Sequence, residues 1–211
     1  MNDVTIVVQA RMSSSRFPGK VLASLHGQPI LQHVVAAARS VVDIRNIVVA
    51  TSVDPSDDPV SAYAKMLGVA VVRGPLEDVL ERFRECARQV GTEWIGRLNA
   101  DSPLLDPLII ARVLEARLED AYDLVTTVFP RTFPKGQNVE LIRVSTLMSL
   151  GDDELTAGDR EHVTAFFYRH PERFLIRNVE SGSPALAGDS VAVDTIDDLR
   201  RLEQLGRPRI A

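Results

Sequence analysis

Apolar residues in the first hundred positions follow two alternating rhythms. The short β-branched runs "VTIVVQ" (4–9), "NIVVAT" (46–51), "VAVVR" (69–73) and "EWIGRL" (93–98) show almost no polar alternation. Strands covered on both faces read this way. Between them, "PILQHVVAAARSV", "DPVSAYAKML" and "LEDVLERFRECARQV" repeat their apolar residues at helical spacing. Strand–helix–strand alternation with short connections implies parallel strands joined by right-handed crossovers. The pattern therefore predicts an open, mostly parallel α/β sheet with helices on both faces.

The second half is less regular. "DPLIIARVLEARLEDA" reads as a helix, "YDLVTTV" and "NVELIRV" as strands, and "DREHVTAFFYRH" as a helix stopped by Pro171. "FLIRNV" follows as a strand, and "VAVD" as a last short strand after a Gly/Ser/Pro loop. "TIDDLRRLEQL" opens with Thr195 and carries Asp198 three residues on, which is close to a capping box. Repeats and linkers are not evident. One domain is expected over residues 1–211, with a less regular insertion around 128–185.

Composition narrows the function classes. A formal net charge of −5 argues against bulk nucleic-acid binding, while leaving room for a local basic pocket. The single cysteine, Cys86, rules out an intramolecular disulfide and cysteine-based zinc clusters, and its helical context suits a buried core thiol. The N-terminus lacks the basic and apolar stretches of a signal peptide, and no run reaches the roughly 18 apolar residues of a spanning helix. A cytoplasmic protein without a membrane partner is expected.

Ligands of open parallel sheets sit beyond the carboxyl ends of the strands, so the loop after the first strand is a candidate site by position. That loop reads "QARMSSSRFPGKVL". It contains no G-x-G-x-x-G, and it fails the P-loop pattern at Ser14 and Val21 despite Gly19-Lys20. A different phosphate grip remains: charge from Arg11, Arg16 and Lys20, hydroxyls from Ser13, Ser14 and Ser15, and close backbone approach at Gly19. A solvated loop with surface charges would use the same residues.

The loop also resembles the signature of the cytidylyltransferase family, which includes acylneuraminate and 3-deoxy-manno-octulosonate cytidylyltransferases and an SpsF-like spore-coat polysaccharide branch. "RGPLEDVLERF", "RLNADSPLLDP", "REHVTAFFYRHPERF" and "VDTIDDL" resemble segments of that branch in the same order, so the likeness covers nearly the whole chain. It implies a glycosyltransferase-A-like α/β fold and transfer of a cytidylyl group from CTP to a sugar acid or related acceptor, releasing pyrophosphate. On that mapping Arg11 and Lys20 bind the triphosphate, Lys20 stabilises charge on the α-phosphoryl group, and Gln9 and Ala10 meet the cytosine. Arg73 becomes a base-side or phosphate-side contact, and Asn99 a phosphate or acceptor contact.

Two distant aspartates complete the expected site. Asp101 in "NADSP" and Asp194 in "VAVDT" fall at strand ends, where two carboxylates suit Mg²⁺ against a triphosphate. Each alone also reads as a turn or N-cap residue. Ala100 stands where the family usually has glycine, and Asn138 where it often has aspartate. Asn138, Glu140, Arg160, Glu161 and His162 are the acceptor-side candidates, although the last three also suit a helix start. A homodimer through the irregular segment is implied by the resemblance. Two rival readings stay open: a nucleotide-sugar glycosyltransferase or nucleotidyltransferase using another base, and a non-catalytic nucleotide-binding protein.

Overall fold

The computed structural model describes residues 3–205; residues 1–2 and 206–211, which the single-domain expectation also includes, lie outside the described residues. β1 (Val4–Gln9) runs through the middle of a seven-stranded sheet. On one side it pairs in parallel with β4 (Ile47–Ser52), which pairs in parallel with β5 (Ala70–Gly74). On the other side it pairs in parallel with β6 (Trp94–Asn99). Beyond β6 lie β8 (Glu140–Arg143), antiparallel to both its neighbours, then β7 (Leu124–Thr126) and β9 (Ile176–Asn178). The order is β5-β4-β1-β6-β8-β7-β9. A small hairpin, β2 (Ser24–Leu25) and β3 (Gln28–Pro29), stands apart from the sheet.

The unbroken apolar strands of the sequence are apolar on both faces because both faces are covered. Val4, Ile6 and Val8 of β1 pack with α1 (Ile30–Arg39), α2 (Asp58–Met66) and α4 (Pro107–Ala116). Val7 points the other way, into a cluster with α3 (Val79–Val90), α5 (Val144–Ser149) and α7 (Ala165–Arg169). Each fully buried Val, Leu or Ile here contributes about 1.5–3 kcal/mol. Cys86 on α3 is wholly buried, and desolvation pushes its thiol up to about 12, so it is an inert core group. Among the described residues no helix is long and apolar enough to cross a membrane.

The structure departs from the sequence pattern at three places. "DREHVTAFFYRH" is not one helix: α6 (Ala157–Glu161) and α7 are separated by His162–Thr164, with His162 off the helical conformation. The break lets the buried Thr164 hydroxyl donate to Glu140 Oε1 at 2.6 Å. "VAVD" is not a strand, since its only ladder contact is a bridge between Lys135 and Ser190 just before it. The hairpin at 24–29 was not legible, because it turns on His26 and Gly27, both at positive φ. The chain ends in α8 (Ile196–Gln204), whose N-cap Thr195 forms the expected capping box with Asp198.

Candidate active site

The first connection leaves β1 at the carboxyl edge of the sheet. Ala10 extends the ladder by donating its N–H to Ala50 O at 3.0 Å, and the chain then turns outward. Asp57, wholly buried, anchors that turn. Its carboxylate accepts Met12 N–H at 2.6 Å, Ser52 N–H at 3.0 Å and Ser52 Oγ–H at 2.5 Å. The loop closes on itself where Gly19 N–H donates to Met12 O at 2.8 Å. Gly19 has φ +75, and a Cβ there would also press on the Met12 methyl at 3.2 Å. Ser13, Ser14 and Ser15 line the outside of this turn, and their hydroxyls have no hydrogen-bond partner among the described residues.

Lys20 follows in a short 3-10 turn and is buried. Its Nζ donates to Asp101 Oδ2 at 2.7 Å and to Asp194 Oδ1 at 3.1 Å, so residues 81 and 174 positions away converge on one ammonium. Asp101 is delivered by β6, whose end is pinned where Ala100 N–H donates to Gln9 O at 3.0 Å. Ala100 is buried without positive φ, which explains why its Cβ is accommodated. Asp194 arrives without a strand: Val193 N–H donates to Asp101 O at 2.9 Å and lays its segment alongside. Arg16 Nη2 also reaches Asp194 Oδ1 at 2.9 Å, and Lys135 Nζ reaches Asp194 Oδ2 at 2.7 Å.

Electrostatics here favour the ionised form of Asp194. Burial pushes the Asp194 carboxyl up, but hydrogen bonds and charge from Lys135 and Lys20 outweigh it and hold the group at about 2. Three cations face two carboxylates, so the cluster keeps a positive excess suited to a polyanion. Among the described residues no group of three or more His, Cys, Asp and Glu gathers as a metal site. Asp101 and Asp194 nonetheless fit a hard divalent cation. Both are carboxylates aimed at one cationic point, and Mg²⁺ takes one or two protein carboxylates and completes its shell with phosphate and water oxygens.

The other candidate residues fall into distinct neighbourhoods. Gln9 Oε1 accepts from Arg97 Nε at 3.1 Å. Arg73 is spent on the connection after β4, donating to Ser52 O at 2.7 Å and Asp54 O at 3.1 Å and pairing with Asp58 at 2.7 Å. Asn99 sits half-buried at the end of β6, opposite Gln9. Glu161 pairs with Arg11 of the first loop at 3.3 Å, while His162 is exposed at the end of α6. Arg160 instead ties α6 to the α3 N-cap Asp78 at 2.8 Å and to Asp152 at 3.3 Å. Asn138 Oδ1 accepts from Arg131 at 2.6 Å.

Glu140 lies buried beneath this side. Arg97 Nη1 pairs with its Oε2 at 2.5 Å, and Thr164 and Tyr168 each donate to its Oε1 at 2.6 Å. Burial raises the Glu140 carboxyl, but Arg97 and the two hydroxyls bring it below its ordinary value. Tyr168, buried against that charge, is raised well above a free phenol. Asp57, Arg97, Lys135 and Tyr168 escaped the sequence reading. Arg97, Lys135 and Tyr168 stood in stretches already singled out, "RLNADSPLLDP", "FPKGQNVEL" and "REHVTAFFYRHPERF", but their meaning depends on where Asp194 and Glu140 end up.

A mostly parallel sheet that gathers phosphate-suited cations over paired carboxylates at its carboxyl edge is the arrangement of a nucleotidyltransferase. The chain belongs to the cytidylyltransferase family, whose model matches residues 5–195, and is thus a CTP-dependent nucleotidyltransferase. It is 30% identical to the spore coat polysaccharide biosynthesis protein SpsF of Bacillus subtilis (strain 168), over 97% of this chain and 87% of that one. A cytidylyltransferase from Leptospira borgpetersenii serovar Hardjo-bovis (strain JB197) superposes with a TM-score of 0.89 at 29% identity, covering 95% of this chain and 85% of its own. The CMP:2-keto-3-deoxy-manno-octonic acid synthetase solved with CTP shares the fold, with a TM-score of 0.75, 20% identity and coverage of 96% and 98%.

Proposed function

We propose that the protein transfers a cytidylyl group from CTP to a hydroxyl of an acidic sugar, in the presence of Mg²⁺, to activate that sugar for surface polysaccharide or glycan synthesis. The observation that carries this reading is the convergence of Lys20, Arg16 and Lys135 on Asp101 and Asp194 at the sheet's carboxyl edge. The polysaccharide role is supported by the similarity to the spore coat polysaccharide biosynthesis protein SpsF, and nucleotide choice by the fold shared with the synthetase solved with CTP.

In this reading the turn from Arg11 to Lys20 wraps the triphosphate, with the three serine hydroxyls and Gly19 supplying close donors. Gln9 and Ala10 meet the cytosine, Arg73 shapes the base side through the β4–α2 connection, and Asn99 faces the reacting phosphate. Asp101 and Asp194 would hold the metal. When bound, Mg²⁺ neutralises phosphate charge and orients the α-phosphoryl group. Lys20, released from the carboxylates toward the phosphates, stabilises charge on the α-phosphoryl group. The acceptor hydroxyl gives up its proton to solvent water as its oxygen attacks the α-phosphorus, the bond to the bridging oxygen breaks and pyrophosphate leaves.

Asn138, Glu161 and His162 line the acceptor side, while Glu140 and Arg160 act there through Arg97 and Asp78. A single domain carries these parts in the cytoplasm. It dimerises through residues 128–185, where Phe129 and Leu175 leave large apolar surfaces exposed. Calorimetric titration with CTP, UTP, GTP and ATP, each with Mg²⁺, tests the nucleotide assignment: CTP binds most tightly. Preference for another base, or no binding, would overturn it.

A further inference from the structure

The two carboxylates come from segments that share no ladder among the described residues and are joined directly only by the Val193 N–H to Asp101 O bond and by Lys20, which leaves room for a further support of their spacing. A four-residue turn, Pro134–Gln137, closed by Gln137 N–H donating to Pro134 O at 3.1 Å, bonds to the chain near each of the two carboxylates. Toward Asp194, Lys135 N–H donates to Asp189 O at 2.9 Å and Val191 N–H donates to Lys135 O at 2.7 Å, while Lys135 Nζ holds the Asp194 carboxylate itself. Toward Asp101, the Gln137 side chain spans the following loop. Its Nε2 donates to Leu104 O at 2.7 Å and its Oε1 accepts Asp106 N–H at 2.9 Å. Between these contacts lies Gly136, buried, with φ +97. A Cβ there would come within 2.6 Å of Ala192 N and 2.8 Å of Val191 C, both backbone atoms that cannot swing aside.

We infer that this turn is a bracket setting the separation of Asp101 and Asp194, with Gly136 and Gln137 as positioning residues for the divalent metal; the inference rests on the metal assignment proposed above. Gln137 makes both of its side-chain hydrogen bonds to backbone, so its role is to hold the loop that follows Asp101. Gly136 allows the 190–193 segment to lie against the turn, which presents Asp194 beside Asp101. The bracket belongs to the irregular insertion, so the acceptor side of the molecule and the metal geometry share one piece of chain.

Gln137→Met keeps the length and loses both hydrogen bonds. Mn²⁺ binding, read by electron paramagnetic resonance at saturating CTP, should weaken by about tenfold, the scale of a lost support for a metal ligand. CTP affinity in EDTA should stay within about twofold of wild type. The metal concentration for half-maximal turnover should rise in parallel, with little change in kcat at saturating metal. Gly136→Ala should weaken Mn²⁺ further, and where it impairs folding Gln137→Met still decides. Unchanged Mn²⁺ affinity in Gln137→Met, or equal losses of CTP and Mn²⁺ affinity, would overturn the bracket while leaving the metal assignment standing. Failure of the wild type to take up Mn²⁺ with CTP would overturn the metal assignment, and the bracket with it.

Discussion

Replacing Lys20 with methionine removes the ammonium that stands 2.7 Å from Asp101 Oδ2 and 3.1 Å from Asp194 Oδ1. At an effective dielectric of about 20, a contact of this length carries a gross attraction of about 5–6 kcal/mol, most of it offset by desolvation of the two charges. Asp194 keeps Arg16 and Lys135, but Asp101 loses its ion-pair partner and then faces a second carboxylate across the vacated space. Because Asp101 is about a quarter exposed, at 27%, the net loss should be about 1–2 kcal/mol. In a chain of this length that lowers Tm by about 2–8 °C.

The condition matters as much as the size. In EDTA the variant should show the full loss, whereas millimolar Mg²⁺ should restore much of it, because a divalent cation can satisfy the same two acids. Removing a preorganised cation at the phosphoryl group should also lower kcat by about 10²–10³-fold. Thermal melts with and without Mg²⁺, together with pyrophosphate-release rates, read both effects. A Tm within 1 °C of wild type in EDTA, below the about 2 °C that is the least expected, would refute the reasoning about the shared cation. A kcat near wild type would refute the catalytic role.

Other expectations follow from the same geometry. The Asp194 carboxyl sits at about 2 in the folded chain against an ordinary 3.8. A depressed carboxylate stabilises the fold above its unfolded value, and that contribution is lost as pH falls through the folded one. Acid unfolding should therefore draw on Asp194 between about pH 4 and pH 2, and Asp194→Asn should flatten the stability profile in that window when melts are recorded by circular dichroism. Arg97→Met strands the buried Glu140 charge with only two hydroxyl donors, which should cost about 3–5 kcal/mol in urea denaturation. Asp57→Asn weakens the anchor of Met12 N–H, and should raise the KM for CTP by about tenfold, equivalent to about 1.4 kcal/mol, with a smaller change in kcat.

Much of this architecture was legible in the chain because its central strands are covered on both faces. The runs around Val4–Gln9 and Ile47–Ser52 needed no information from elsewhere to read as strands, and the helix between them carries its own periodicity. Lys20, Asp101 and Asp194 could be picked out by their places at the ends of apolar runs, aided by a family resemblance, and they do meet. What failed to show depends on contacts distant in sequence. The break before Thr164 exists because Glu140, 24 positions earlier, is waiting for its hydroxyl. The "VAVD" segment has the composition of a strand, yet it docks on a turn and on Asp101 O instead of on a neighbouring strand. Asp57 reads as one of several acids in "DPSDDP", and only the folded path of the first loop shows that its carboxylate receives Met12.

The central claim is chemical, and turnover tests it most directly. The purified protein should be incubated with CTP, Mg²⁺ and a panel of acidic sugars, with products followed by phosphorus NMR. The account predicts that at least one acceptor yields a cytidine monophosphate–sugar and pyrophosphate in equal amounts, and that Asp101→Asn abolishes both signals. Turnover retained in Asp101→Asn, or equal use of UTP or GTP in place of CTP, would contradict it.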